Sequence, residues 1–314
     1  MMEPLSLEKQ ILRQIEKGCC SSKETIERYL KITSYFTINY DYEPYITHSS
    51  QIIKFKIQDY KWLEETNEKI SKESLSLILR SEKIVRNKIA DYYSFFCKNN
   101  QLQYFSIDSF VVDKSDFPEL LEDADKNKLK MEFIDDCWNM YLKKKKNLNS
   151  KYHFDSIENV PPFVIAQHLS FGQIRKFYKL LNKDIKEKLV ASFNLKISEF
   201  SPIIEKLNFL RNACAHGDFI LNFTTQKLPN VNDKKFHHYM FNSGFNLKKN
   251  KTELIPLLSY CSYLLQDNIS FFLSTMRNIL EMANYTKSGS LNKSLLLSNL
   301  GLLTQAKSVQ CVFV

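Results

Sequence analysis

The sequence predicts an all-α fold, and three observations carry the prediction. Apolar residues recur at three- and four-residue spacing along most of the 314 residues. With 44% hydrophobic residues, 23 Phe and 16 Tyr, there is enough apolar side chain for a sizeable core. Only 6 Gly and 8 Pro leave too few turn-formers for a β-sandwich, a barrel or a glycine-fingerprinted nucleotide-binding sheet.

The elements follow in order. Residues 6–17 read as a helix capped by Ser6, with Leu7, Ile11, Leu12 and Ile15 on one face and Gly18 as the stop. Ser21 and Glu24 form a capping-box pattern for a second helix, whose apolar stripe is Ile26, Tyr29, Leu30 and Ile32. The pair is compatible with a helix-turn-helix, although residues 23–33 offer only Lys23, Arg28 and Lys31 to a DNA groove. The aromatic, β-branched stretch 35–45, with Pro44, reads as irregular or short extended structure. From about residue 55 to 96 the pattern is helical, and Leu75, Ile78, Leu79, Ile84, Val85, Ile89 and Tyr93 point to a core.

Residues 98–130 mix polar, acidic and aromatic side chains and suggest an insertion, and Lys143, Lys144, Lys145 and Lys146 end it as a solvated helix end or a phosphate track. Pro161 and Pro162 open a helix to about residue 169, and after Gly172 another runs to about 181. A helix over 202–216 buries Ile203, Ile204, Leu207, Phe209 and Leu210, and Gly217 stands where a C-terminal cap belongs. Residues 222–250 look like a polar, basic loop that includes Lys248 and Lys249, 254–282 is apolar and helical, and a short Leu-rich helix follows in the tail. The expected organisation is a helical and aromatic extension over 1–60, a helical core over 61–285 with an insertion near 98–155, and a tail helix over 286–314.

Charge narrows the function. The chain has 44 Lys and Arg against 35 Asp and Glu, a net charge of +9, which fits an anionic partner, nucleic acid before membrane. No stretch is apolar enough for a membrane span, and residues 1–20 lack the apolar block of a signal peptide, so the expected location is the cytoplasm. The seven cysteines, Cys19, Cys20, Cys97, Cys137, Cys214, Cys261 and Cys311, show neither paired metal spacing nor a disulfide framework. His237 and His238 diverge on either kind of backbone, and no metal or cofactor is expected.

The chemistry concentrates in Arg211-Asn212-Ala213-Cys214-Ala215-His216-Gly217. Of three Arg-Asn pairs, at Arg86, Arg211 and Arg277, only the one at Arg211 has a histidine five positions after its arginine. On a helix Asn212 and His216 lie one turn apart on one face, and Arg211 reaches the same groove with its long side chain. An arginine fork binds phosphate oxygens, and the negative end of the helix dipole suits a proton donor in the last turn. The same residues also fit a structural role, with Arg211 paired to a carboxylate and His216 capping carbonyls.

This segment resembles the R-x4-6-H signature of HEPN ribonucleases, in the form seen in bacterial abortive-infection (Abi) proteins of the AbiD and AbiF type. Tyr29-Leu30 with Ser34-Tyr35-Phe36, Leu169-Ser170-Phe171-Gly172 with Phe177-Tyr178, and Asn222 are similar to further blocks of that family. The resemblance spans roughly residues 7–225 and implies a HEPN-like helical bundle, antiphage or toxin activity, and RNA as substrate or partner. It implies metal-independent transesterification with Arg211, Asn212 and His216 catalytic, a homodimer that builds its site from two facing motifs, and a small structured RNA that restrains the protein. The alternative is a non-catalytic RNA-binding protein in which lysines such as Lys143 to Lys146, Lys248 and Lys249 hold a structured RNA. Under the dimer reading the small Ala213, Cys214 and Ala215 permit close approach, and Cys214 lies near its symmetry mate. Two departures stand out: Arg86-Asn87-Lys88-Ile89-Ala90-Asp91 imitates the motif but ends in Asp91 and reads as core helix, and Gly217-Asp218 replaces the basic residue or second histidine often found after the motif.

Overall fold

One long helix organises the molecule. The structure, a computed structural model, describes residues 5–46, 54–119, 122–147, 154–224, 253–265, 269–284 and 293–300. The helices are α1 (Leu7–Glu16), α2 (Lys23–Leu30), α3 (Tyr35–Thr37), α4 (Glu43–Ile46), α5 (Ile57–Asn99), α6 (Asp123–Asn147) and α7 (Pro162–Ala166). They continue as α8 (Phe171–Leu180), α9 (Lys183–Ala191), α10 (Ile197–His216), α11 (Leu254–Ser259), α12 (Cys261–Leu265), α13 (Ile269–Asn284) and α14 (Lys293–Asn299). Among the described residues the fold is all-α, with only two isolated bridges, Cys19 to Phe55 and Thr224 to Glu253, in place of strands.

Helix α5 has 43 residues and so spans about 65 Å. Asp59 caps its start by accepting the Lys56 backbone N–H at 2.8 Å. Its buried side carries Tyr60, Leu63, Ile70, Leu77, Ile78, Val85, Ile89 and Tyr93. Helices α7, α8, α9 and α10 pack on it from one part of the chain, and α11, α12 and α13 from another. Near its C-terminal end Tyr93, Phe105, Phe110, Phe133 and Phe177 form one aromatic cluster, in which Phe133 meets Phe177 at 5.5 Å. Phe133 belongs to α6, so the segment read as an insertion is tied to the core by the tilted contact of its ring with Phe177.

Several expectations are corrected. Residues 35–46 are helical throughout, with a π-helical turn at Ile38–Tyr42 between α3 and α4; their aromatics pack from that turn and not from a strand. The second helix is capped by Ser22, whose hydroxyl accepts the Thr25 N–H at 3.3 Å, because Ser21 accepts the N–H of Ile57 at 3.0 Å. Pro202 lies inside α10, which begins a turn earlier, and α9 fills a stretch for which no helix is expected. Apolar residues assigned to buried stripes are exposed at Leu12, Ile32, Leu79 and Phe209, the last by 52%. No helix among the described residues is long and apolar enough to cross a membrane.

Candidate active site

Helix α10 sets the geometry. It is capped at its start by Glu199, which accepts the Lys196 N–H at 2.8 Å. Its buried row is Phe200, Ile203, Ile204, Leu207, Leu210 and Cys214, a helical repeat that fixes the rotation of everything else. Phe209, Asn212 and His216 therefore lie away from the core, with Asn212 half-buried and Phe209 and His216 exposed, while Ala213 is half-buried and packs against the core.

The helix stops at the motif because Gly217 takes the left-handed conformation, with φ 77°. The N–H of Asp218 then returns to the carbonyl of Ala213 at 3.0 Å, the six-to-one bond of a Schellman ending. From below, α5 holds this ending in place. The Ser71 hydroxyl donates to the Cys214 carbonyl at 3.3 Å, the Asn67 amide donates to the Asp218 carbonyl at 3.1 Å, and the Asn67 side-chain oxygen accepts the Ile220 N–H at 2.8 Å. Tyr42 and Tyr45 close it from the side, meeting the ring of Phe219 edge-on at 5.3 and 5.9 Å.

Arg211 is tethered to its neighbour, its guanidinium donating to the Asn212 side-chain oxygen at 3.3 Å. Its Nε is buried without a hydrogen-bond partner, as are Nε of Arg86 and Oε2 of Glu82. These three side chains share one region: Arg86 pairs with Glu82 one turn earlier on α5, and the charges of both arginines act on the Glu82 carboxyl. Burial raises the Glu82 pKa, and Arg86 and Arg211 pull it back down. Arg86 is thus paired with Glu82 directly, whereas Arg211 reaches the same carboxyl only through its charge.

The motif-like segment lies on α5 as core helix, with Ile89 and Ala90 buried. Arg86 also donates to the carbonyl of Leu169 at 3.0 Å, so it joins the Leu-Ser-Phe-Gly block to the Arg211 region. Gly172 of that block faces Asn208 of α10, where an added Cβ would sit 3.9 Å from the amide. Next to Leu169, His168 is half-buried and has its pKa lowered by burial and by the charges of Lys144 and Arg86.

The remaining site expectations divide. Lys143 and Lys144 are exposed near the C-terminal end of α6, and Lys144 is close enough for its charge to reach His168. The side chains of Lys145 and Lys146, and all of Lys248 and Lys249, lie outside the described residues. Cys214 does not face outward to meet a second copy; it is buried at 7% exposure, and burial pushes its thiol up to about 11. The position that suits a probe of that face is Phe209. Sequence reasoning passed over Glu82, Asn67 and Ser71, although polar residues on the buried stripe of a core helix are themselves a signal.

With the geometry in place, the comparison with known families decides the lineage: the family described as Abi-like protein matches residues 28–222. The chain belongs to the Abi-like protein family. No curated protein and no solved structure matches it. Membership gives this Abi-like protein a function of the abortive-infection type, in antiviral defence. The matched span opens inside α2 and closes just after the Schellman ending, so the family region contains Asn67, Glu82, Arg86, the Leu169 block and the motif. Helices α11 to α14 of the Abi-like protein lie beyond it.

Proposed function

We propose that this Abi-like protein is a HEPN-type ribonuclease that cleaves RNA by metal-independent transesterification. The observation that carries the reading is the placement of an exposed His216 at the end of α10, one turn from Asn212, with Arg211 held on Asn212 and backed by Glu82. In the reaction the substrate's 2′-hydroxyl oxygen attacks the adjacent phosphorus as it gives up its proton to solvent water, and the bond from phosphorus to the 5′ oxygen breaks. The products are a 2′,3′-cyclic phosphate and a 5′-hydroxyl. His216 delivers the proton to the departing 5′ oxygen, Arg211 binds the phosphate oxygens as negative charge builds on them, and Asn212 orients the guanidinium.

The reading extends to a homodimer in which the faces carrying Phe209, Asn212 and His216 meet around a two-fold axis and two motifs share one cleft. It also extends to a small structured RNA that restrains the enzyme, held in part by Lys143 and Lys144 together with Lys145, Lys146, Lys248 and Lys249.

The test is incubation of RNA-stripped protein with mixed RNA in the presence of a chelator. The expected result is cleavage products ending in cyclic phosphate, lost on His216→Ala and on Arg211→Ala while the helical circular dichroism is unchanged. RNA left intact by the wild type, or cut equally by His216→Ala, overturns the nuclease. Intact RNA that stays bound and copurifies as one discrete species supports the non-catalytic ribonucleoprotein, for which the exposed Asp218 beside the motif is the favouring feature.

A further inference from the structure

The N-terminal aromatic segment carries a surface that the motif does not use. Phe36 and Tyr40 are 62% and 58% exposed, yet their rings stack on each other, with centroids 4.3 Å apart and planes inclined by 23°. Ile32, four residues earlier in the chain, is 78% exposed. Large apolar side chains are normally scattered singly on a surface; two rings held in register in solvent form a preorganised flat face.

The backbone beneath the pair is fixed. The Asn39 amide donates to the Tyr35 carbonyl at 2.6 Å, and Lys17 donates to the Asn39 side-chain oxygen at 2.7 Å while pairing with Glu43 at 2.5 Å. The next turn, through Tyr42 and Tyr45, is the one that supports Phe219 behind the motif. Rings presented on a braced turn lose little conformational freedom when something stacks on them.

We propose that Phe36 and Tyr40 form a stacking platform for a nucleobase of single-stranded RNA. Three observations choose this occupant. The two rings are nearly parallel and stacked face to face, so a base laid on the outer ring face continues the stack, whereas rings that plug a protein pocket need no mutual alignment. The chain carries a net charge of +9, and at the end of α2, a few residues before the pair in sequence, Arg28 is exposed while Lys31 is paired with Glu27 at 2.6 Å, so this stretch of chain offers cations to backbone phosphates. The same short segment packs, through Tyr42 and Tyr45, on Phe219 three residues after His216, so the platform and the motif are braced by one stretch of chain. The inference rests on the RNA reading above, but it concerns binding and not the cleavage chemistry.

The test uses fluorescence anisotropy with two 12-nucleotide probes, oligoadenylate and an abasic ribose-phosphate oligomer, on the His216→Ala protein so that neither is cut. The expected result is tighter binding of oligoadenylate than of the abasic chain, with Phe36→Leu/Tyr40→Leu weakening oligoadenylate about tenfold and leaving the abasic chain unchanged. Phe36→Trp/Tyr40→Trp should bind oligoadenylate at least as well as the parent protein. Equal affinity of the Leu and parent proteins for oligoadenylate overturns the platform and leaves RNA binding standing; it assigns the pair to an apolar protein contact instead. Failure of the parent protein to bind either probe overturns both the platform and the RNA reading. The substituted side chains are exposed, so unchanged circular dichroism of the Leu variant is the control for folding.

Discussion

At Glu82 a carboxylate is buried beside two guanidiniums, and burial outweighs them in raising its pKa above the ordinary glutamate range. The folded chain therefore holds this proton more tightly than the unfolded chain does. Stability contributed here is present at low pH and falls as pH rises from near 4.5 through the raised folded value. Glu82→Gln removes that titration, so wild type should lose stability relative to the variant as pH rises above about 4.5. Urea unfolding of both proteins across that interval measures the difference, and a constant gap would contradict it. Asn67 makes a simpler prediction. Asn67→Ala leaves the Ile220 N–H and the Asp218 carbonyl without their partner and should cost about 1–3 kcal/mol, read from the same unfolding curves. Thiol chemistry separates two cysteines: Cys20 is exposed, whereas Cys214 is buried with its thiol pushed up to about 11. Alkylation of native protein at pH 8, mapped by mass spectrometry, should label Cys20 and spare Cys214.

Among the elements, α10 shows where a helix ends by backbone geometry. Gly217→Ala forces a Cβ into the left-handed region at φ 77° and should cost about 1 kcal/mol although nothing lies within 4 Å of the new methyl. A lowered melting temperature with unchanged helix content is the expected outcome. This helix end was legible in the sequence, since the motif, the apolar row and Gly217 are all local. Its rotation was legible only in part. Ile203, Ile204, Leu207 and Leu210 fix most of the buried row, but Phe209 looks buried by its chemistry and Cys214 looks available by its size, and the 3.6-residue period places them the other way round. The π-helical turn at Ile38–Tyr42 was not legible, because β-branched and aromatic residues favour extended backbone until tertiary packing on Phe219 and Tyr60 decides. Glu82 escaped because its second arginine is remote in sequence, and only folding brings the two charges together.

For the whole molecule, the family span and the folded body do not coincide. Beyond residue 222, α13 packs on α5: the Asn278 amide donates to Glu73 at 3.4 Å, and the Arg80 guanidinium lies 4.3 Å over the ring of Phe271. Leu77, between those two contacts on α5, is fully buried. A chain ended after residue 224 should therefore uncover the middle of α5, with a broadened melt and increased binding of a hydrophobic dye compared with the full chain. A truncated chain that melts as sharply as the full one would make the C-terminal helices dispensable. The all-α class was legible because helical periodicity runs nearly end to end. Which helices cover α5 was not, since that depends on contacts between residues far apart in the chain.

The unbroken course of α5 also limits how the gene can change in length. Ser71 holds the end of α10 by a hydrogen bond and Glu82 lies within reach of the Arg211 charge, and both belong to one continuous helix with eleven steps between them, close to three whole turns. Adding or removing a single residue between them rotates one partner about 100° away from the other and shifts it about 1.5 Å along the axis. Length variation tolerated in this chain should accordingly fall between helices and spare the interval from 71 to 82, where only a change of whole turns would keep the two grips in phase.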